Sequence, residues 1–250
     1  MSGSAGLRQN MCGLQPRTLR SEVNEGKIIS YLSPRLQYAC RYWVYHLKES
    51  QSPISDKDLI NVFLQKHFLH WLEAISLVRE TNQCIRLIKT LYALIKSSRT
   101  ALFSFLQDAE RFTLRFRHIL EEAPLQIYSS ALLFSPEASI REDAWDACHS
   151  TLEGHTNQIS AVAFSPDGRC LHTNQGNLPL PSPFFSSLPP QSTQSSCIFI
   201  QDQWVSFDQQ QVLWLPSEYR PTCATVHKDL VCLGHSSGRL SLLRICKVSV

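Results

Sequence analysis

Leu152-Glu-Gly-His-Thr156, followed after four residues by Ala161-Val-Ala-Phe-Ser-Pro-Asp-Gly-Arg169, is the stretch that decides how this chain is read. A Gly-His pair precedes a short segment of alternating apolar residues. The segment then runs into Asp167-Gly168, a pair suited to a tight turn because both residues tolerate a positive φ. Strand, turn and strand therefore follow one another here. The alternation places one face of the first strand in a core and the other toward solvent.

That order, with Gly154, His155, Asp167 and Gly168 as its signature, is the opening of a WD40 repeat, the unit of a β-propeller. A propeller blade is a four-stranded sheet that buries its faces only against neighbouring blades, and rings normally need about four of them or more. Only one clear opening occurs. After it come alternating segments at 170–174, 197–200, 203–207, 212–215, 222–226, 230–233 and 240–245, which with 159–164 make about eight strands, two blades' worth. Residues 150–177 thus read as the repeat opening and 197–250 as further strands resembling a closing propeller segment. Between them, 178–196 holds five prolines and many serines, a composition read as a flexible linker.

Upstream the period changes from two to between three and four. Residues 1–30 show no strong periodicity and read as poorly structured, and 31–135 read as a helical module. Ser33-Pro34 places a capping hydroxyl before a proline at the first helical position, where its missing N–H costs nothing. Ser55 to Asp58 is a second capping arrangement. It is followed by Ile60, Leu64, Phe68 or His67, Trp71, Ile75 and Val78, an apolar stripe on one helix face. A helix over 83–96 carries Cys84, Ile88, Leu91 and Ile95. Another over 100–122 carries Leu102, Leu106, Ala109, Phe112, Phe116 and Leu120, and Pro124 ends it. The expected fold class is α+β: an N-terminal all-α bundle followed by an incomplete, propeller-like all-β region.

Composition narrows the function classes. With 43% hydrophobic residues the chain can bury one large core or two modest ones. A formal charge of +3 is too small to be the electrostatic footprint of a nucleic-acid binder. The nine cysteines never form a CxxC pair, so they read as reduced, mostly buried thiols rather than as disulfides or zinc ligands. No secretory leader or membrane-spanning run is recognisable, and a cytoplasmic protein is expected.

Motifs that would carry chemistry do not find the surroundings they need. Gly234-His-Ser-Ser-Gly238 matches G-x-S-x-G and nominates Ser236 as a hydrolase nucleophile. Yet an alternating strand follows it in place of a helix, and only 12 residues remain for an acid and a histidine. A hairpin turn is the expected reading. Ser21 to Ile28 approximates a phosphate loop around Gly26-Lys27 but lacks both the first glycine and the hydroxyl after the lysine, so no NTPase activity and no cofactor are expected. His67, His70 and Glu73 share a helix face and offer metal-ligand atoms, but a rim of core is the expected role. The same holds for Tyr42-Trp-Val-Tyr45 and for the aromatics of 103–116, read as core. Arg111, Arg115, Arg117 and His118 read as a solvated basic face.

Seven strings add a family resemblance. Leu7-Arg-Gln-Asn-Met-Cys-Gly-Leu14, Leu36-Gln-Tyr-Ala-Cys-Arg-Tyr-Trp-Val44, Phe63-Leu-Gln-Lys-His-Phe-Leu-His-Trp-Leu-Glu-Ala74, Phe105-Leu-Gln-Asp-Ala-Glu-Arg-Phe112 and Ala123-Pro-Leu-Gln-Ile-Tyr-Ser-Ser-Ala131 resemble the helical region after the ATPase in fungal NACHT-WD40 proteins of the vegetative-incompatibility, STAND or NLR-like, type. Trp214-Leu-Pro-Ser-Glu-Tyr-Arg-Pro221 and Leu233-Gly-His-Ser-Ser-Gly-Arg239 resemble the closing propeller segment of that family. The resemblance implies a fragment lacking the NACHT ATPase and most WD40 repeats. Its implied function is non-enzymatic: protein interaction, either in ligand sensing or as a modulator of a full-length relative. Protein partners, no nucleic acid, no membrane span and self-association through uncovered β edges go with it. The alternatives are a WD40 scaffold in another pathway, such as organelle division, and a serine hydrolase through Ser236.

Overall fold

The computed structural model describes residues 6–51, 59–95, 101–135, 149–152, 155, 157–180, 198–201 and 203–245. It is mixed α+β and divides into two compact units, Met1–Glu142 and Asp143–Val250.

The described part of the first unit is helical: α1 (Glu25–Tyr31), α2 (Pro34–Ser50), α3 (Leu59–Leu77), α4 (Thr81–Leu94), α5 (Ala101–Arg115), α6 (Arg117–Glu122) and α7 (Ser130–Leu133), with 3-10 turns at Arg20–Glu22 and Pro124–Tyr128. Ser33 caps α2 by accepting from the Leu36 N–H, and Pro34 stands at its first position. The capping arrangement at 55–58 lies outside the described residues. From Trp71 to Leu77 every residue of α3 is buried, so its C-terminal half is enclosed on all sides rather than along one stripe. Trp71 makes its one polar contact inside this core, donating from Nε1 to the Cys40 carbonyl of α2 at 2.9 Å. The helix read as 100–122 is two helices, α5 and α6, interrupted at Phe116, whose φ of −102° and ψ of 18° leave the helical basin. Its apolar side survives the break: Leu102, Leu106, Ala109, Phe112, Phe116 and Leu120 are all buried.

Two expectations are corrected here. Within residues 1–30, read as poorly structured, the described portion buries Met11, Cys12, Leu14, Val23 and Ile28 and carries a 3-10 turn and α1. The packing comes from scattered apolar residues with no helical period, which is why periodicity missed it. The cluster Tyr42 to Tyr45 is only half core. Val44 is fully enclosed and Trp43 meets Phe63 and Trp71 edge-on, while Tyr42 and Tyr45 are 43% and 54% exposed on the opposite side of α2.

The second unit is built of β1 (His149–Leu152), β2 (Val162–Phe164), β3 (Cys170–Thr173), β4 (Gly176–Pro179), β5 (Ile198–Gln201), β6 (Trp204–Phe207), β7 (Gln210–Trp214), β8 (Cys223–His227), β9 (Leu230–Gly234) and β10 (Leu240–Arg244). Among the described residues all pairings are antiparallel, in three sheets of order β1-β10-β9-β8, β2-β3-β4 and β5-β6-β7. No closed propeller is formed by the described residues, whose three sheets compare with the about four blades or more of a closed ring. Strands β1 and β4 were not expected. β4 contains Gly176 and ends on Pro179, residues that mask a strand in sequence but are tolerated at a sheet edge, and β4 lies at the edge of its sheet. Leu180 beyond it is buried, so the described chain runs three residues into the segment read as linker; 181–196 lies outside the described residues.

β1 joins the ends of the unit. It stands immediately before the repeat signature, yet its partner is β10, with His149 opposite Leu243 and Leu152 opposite Leu240. The first strand thus completes a four-stranded sheet whose other three strands come from the C-terminal end. Ile159, Leu171, Leu180, Leu230, Cys232, Leu240 and Leu242 form one buried cluster drawn from this sheet, from β3 and from the segments flanking the β2-β3-β4 sheet.

Candidate functional site

Of the four residues read as a repeat signature, His155, Asp167 and Gly168 are described, in the connections beside β2 and β3. Gly154 lies outside the described residues. His155 Nε2 is 3.1 Å from the Thr173 hydroxyl at the end of β3. Thr173 has one hydroxyl proton and gives it to the Gly176 carbonyl at 2.8 Å, so the hydrogen bond with His155 requires the imidazole to donate from Nε2. The strand-to-strand turn is held in the same way. Ser165 donates its hydroxyl to Asp167 Oδ1 at 2.6 Å, the Arg169 N–H donates to the same oxygen at 3.1 Å, and the Cys170 N–H donates to Ser165 Oγ. These bonds, the Ser165 hydroxyl first, hold the Asp167 carboxyl below its ordinary range, so it is an ionised acceptor fixing the turn.

Gly168 is required twice over. Its φ is +70°, and a Cβ there would lie 2.8 Å from Nε2 of His227, whose ring meets that of Phe164 at a tilt of 41° with centroids 5.5 Å apart. Gly238 is constrained in the same manner: φ is +85°, and a Cβ would collide with the carbonyl oxygens of His155 and Asn157. The β9–β10 turn therefore presses directly on the backbone of the repeat opening. Asn174 secures that backbone from the other side, accepting at Oδ1 from the Ser160 N–H and donating from Nδ2 to the Gln158 carbonyl.

Ser236 is exposed in the β9–β10 turn and is followed by strand β10, so the strand-to-helix elbow that would activate it is not formed. The neighbouring His235 is buried, bonds Ser241 Oγ through Nε2, and is pushed below the ordinary histidine range by burial, which keeps the imidazole neutral. Gly26 and Lys27 lie in α1, with the Gly26 N–H taken by Asn24 and Lys27 Nζ donating to the Gly13 carbonyl, an arrangement that cradles no phosphate.

His67 and His70 do converge, with Nδ1 atoms 3.1 Å apart. Glu73 points elsewhere: it is fully buried, accepts from the Asn10 and Met11 N–H groups at 2.9 Å each, and takes the Tyr128 hydroxyl. No group of three metal-ligating side chains occurs among the described residues. The described cysteines 12, 40, 84, 170, 223 and 232 are free thiols, and burial pushes Cys40 up to about 11 and Cys232 up to about 12, which keeps them protonated and unreactive.

Sequence reasoning missed two features. One is the buried role of Glu73, since a carboxylate in a stripe of histidines suggests a ligand and not a clamp for a distant loop. The other is the pairing of Arg20 with Arg79 around a cavity, for which two arginines 59 positions apart give no signal.

No family model matches the chain, and no solved structure matches it. The chain is 37% identical over 161 residues to "Vegetative incompatibility protein HET-E-1" of Podospora anserina, a match that takes in 54% of this chain and 12% of that protein.

Proposed function

We propose that the chain is a non-enzymatic protein-interaction module related to the fungal NACHT-WD40, STAND-type receptors, acting in ligand sensing or as a modulator of a full-length relative. The observation that carries this reading is the pairing of β1 with β10. In this reading the strand before the repeat opening and the last strand of the closing segment belong to one sheet, which supports a repeat-type interaction surface. The partial likeness to the vegetative incompatibility protein supports the same assignment. The site chemistry agrees, because His155, Asp167 and His235 are all committed to holding turns. A helical N-terminal module and a cytoplasmic location belong to the proposal; no helix among the described residues is long and apolar enough to cross a membrane.

The test is association in solution. The purified chain is mixed with the full-length vegetative incompatibility protein and followed by size-exclusion chromatography with light scattering. A stable mixed complex at about micromolar concentration is expected for a modulator. Independent elution of both proteins, together with no complex with any extracted ligand by native mass spectrometry, overturns the interaction reading.

A further inference from the structure

The first unit contains a cavity of about 290 Å³ between the 3-10 turn Arg20–Glu22, the α3–α4 turn and α6. That volume is at the lower end of small-molecule clefts, about 300 Å³. Its wall carries Arg20, Arg79, the hydroxyl-bearing Ser21 and Thr81, and the Asn82 amide.

Arg20 is only 5% exposed. Its guanidinium donates to two carbonyl oxygens, Nε to Ser76 at 3.3 Å and Nη1 to Val23 at 3.4 Å, which leaves further donors of the five on the group. Among the described residues neither Arg20 nor Arg79 forms an ion pair. A buried cation is normally matched by an acid, because the loss of hydration is otherwise uncompensated. Here burial first, and then the second cation Arg79, push Arg20 below the ordinary arginine range, and the nearby carboxylate of Glu25, which forms no ion pair with it, offsets them only in part. Arg79 occupies its place at φ +62°, in the left-handed region that an L side chain adopts only at a cost.

The two other elements at the cavity favour the same sign of ligand. Thr81 and Asn82 are the first residues of the 14-residue α4, whose cap Glu80 supplies no side-chain acceptor to the first turn. The positive end of that helix thus faces the cavity uncapped. Glu121, the acid on the wall, is already bound by Arg117 Nε at 2.8 Å, and Glu80 pairs with Arg41 at 3.7 Å.

We propose that this cavity is a binding site for a small phosphoryl anion, held between the guanidinium groups of Arg20 and Arg79 and the first turn of α4. A tetrahedral dianion offers several acceptor oxygens to two planar forks and to hydroxyl and amide donors, a match that a halide lacks. Inorganic phosphate and the phosphoryl end of a small ester share this chemistry. The site is independent of the interaction reading above.

The experiment is isothermal titration of the full chain at low ionic strength with inorganic phosphate, pyrophosphate and glycerol phosphate, with chloride as the control. Saturable one-to-one binding is expected for phosphate or pyrophosphate and none for chloride; heat with glycerol phosphate as strong as with phosphate assigns an ester as ligand. Two variants separate binding from folding. Arg79→Gln removes one exposed cation, and Asn82→Asp adds an anion at a helix position where an acid stabilises the fold. Each is expected to weaken binding about tenfold to a hundredfold, the loss of a charge-assisted hydrogen bond, with unchanged or higher Tm in the absence of phosphate. No saturable heat with the wild-type chain, or affinity in both variants equal to that of the wild type, overturns the proposal.

Discussion

Tyr128 donates its phenolic hydroxyl to Glu73 Oε2 at 2.7 Å, inside a core where Glu73 is 0% exposed. The same carboxylate takes the backbone N–H groups of Asn10 and Met11, so one acid ties the N-terminal loop, α3 and the 3-10 turn Pro124–Tyr128 together. Glu73→Ala removes at once the acceptor of the buried Met11 N–H, of the half-buried Asn10 N–H and of the Tyr128 hydroxyl. A loss of about 3 kcal/mol or more is expected in urea denaturation of the full chain, against about 1–2 kcal/mol for Tyr128→Phe, which strands none of the backbone groups.

The same acid gives the first unit a pH dependence. Burial is the largest influence on Glu73 and raises its pKa above the ordinary 4.5, with the three donors opposing it. The folded state therefore holds its proton more tightly than the unfolded chain. That contribution is fully present below about pH 4.5 and is lost as pH rises through the higher folded value. Glu73→Gln keeps the shape and removes the titration. Its stability is expected to fall less than that of the wild type as pH is raised from 4.5 toward neutrality, read from urea midpoints across that range. Parallel curves would contradict the assignment.

Gly168 and His227 are in steric conflict waiting for a methyl group. Gly168→Ala is expected to cost about 1–3 kcal/mol, because it combines a positive φ with a Cβ at 2.8 Å from the imidazole. In a His227→Ala background the steric part disappears and only the backbone part remains. A double-mutant cycle on thermal unfolding is expected to show coupling above about 0.5 kcal/mol.

Strand β1 guards the outer edge of β10. Thr151→Pro removes an N–H from β1, opposite Ser241, and expels the strand from the sheet. The freed edge is expected to drive self-association, seen as a concentration-dependent shift to higher mass by light scattering, while the wild type under the same conditions shows a smaller shift. Identical profiles would mean that β1 contributes nothing to covering the sheet.

Ser236 sits in a turn with a strand after it. Ser236→Ala is expected to leave both Tm and labelling by a fluorophosphonate probe unchanged from the wild type. Labelling of the wild type that vanishes in the variant would restore the hydrolase reading.

Helix positions, several strand positions and the α+β class were legible in the order of residues because they follow from local chemistry. Ser33-Pro34 starts α2 by capping, the stripe from Leu64 to Ile75 needs a helix to gather it, and Asp167-Gly168 needs a turn. These depend on neighbours within about four residues. Long-range matters were not legible. Nothing near His149 to Leu152 in the chain names Leu240 to Leu243 as its partner, since strand pairing is selected by which edge is left open after the rest has packed. Nothing near Glu73 shows that its carboxylate is claimed by Asn10 and Met11, because backbone N–H groups are the same at every position and only the fold decides which two are brought there unpaired. Arg20 and Arg79 meet for the same reason: charge is written locally, but the cavity that sets two cations side by side exists only once α3, α4 and α6 have closed around it.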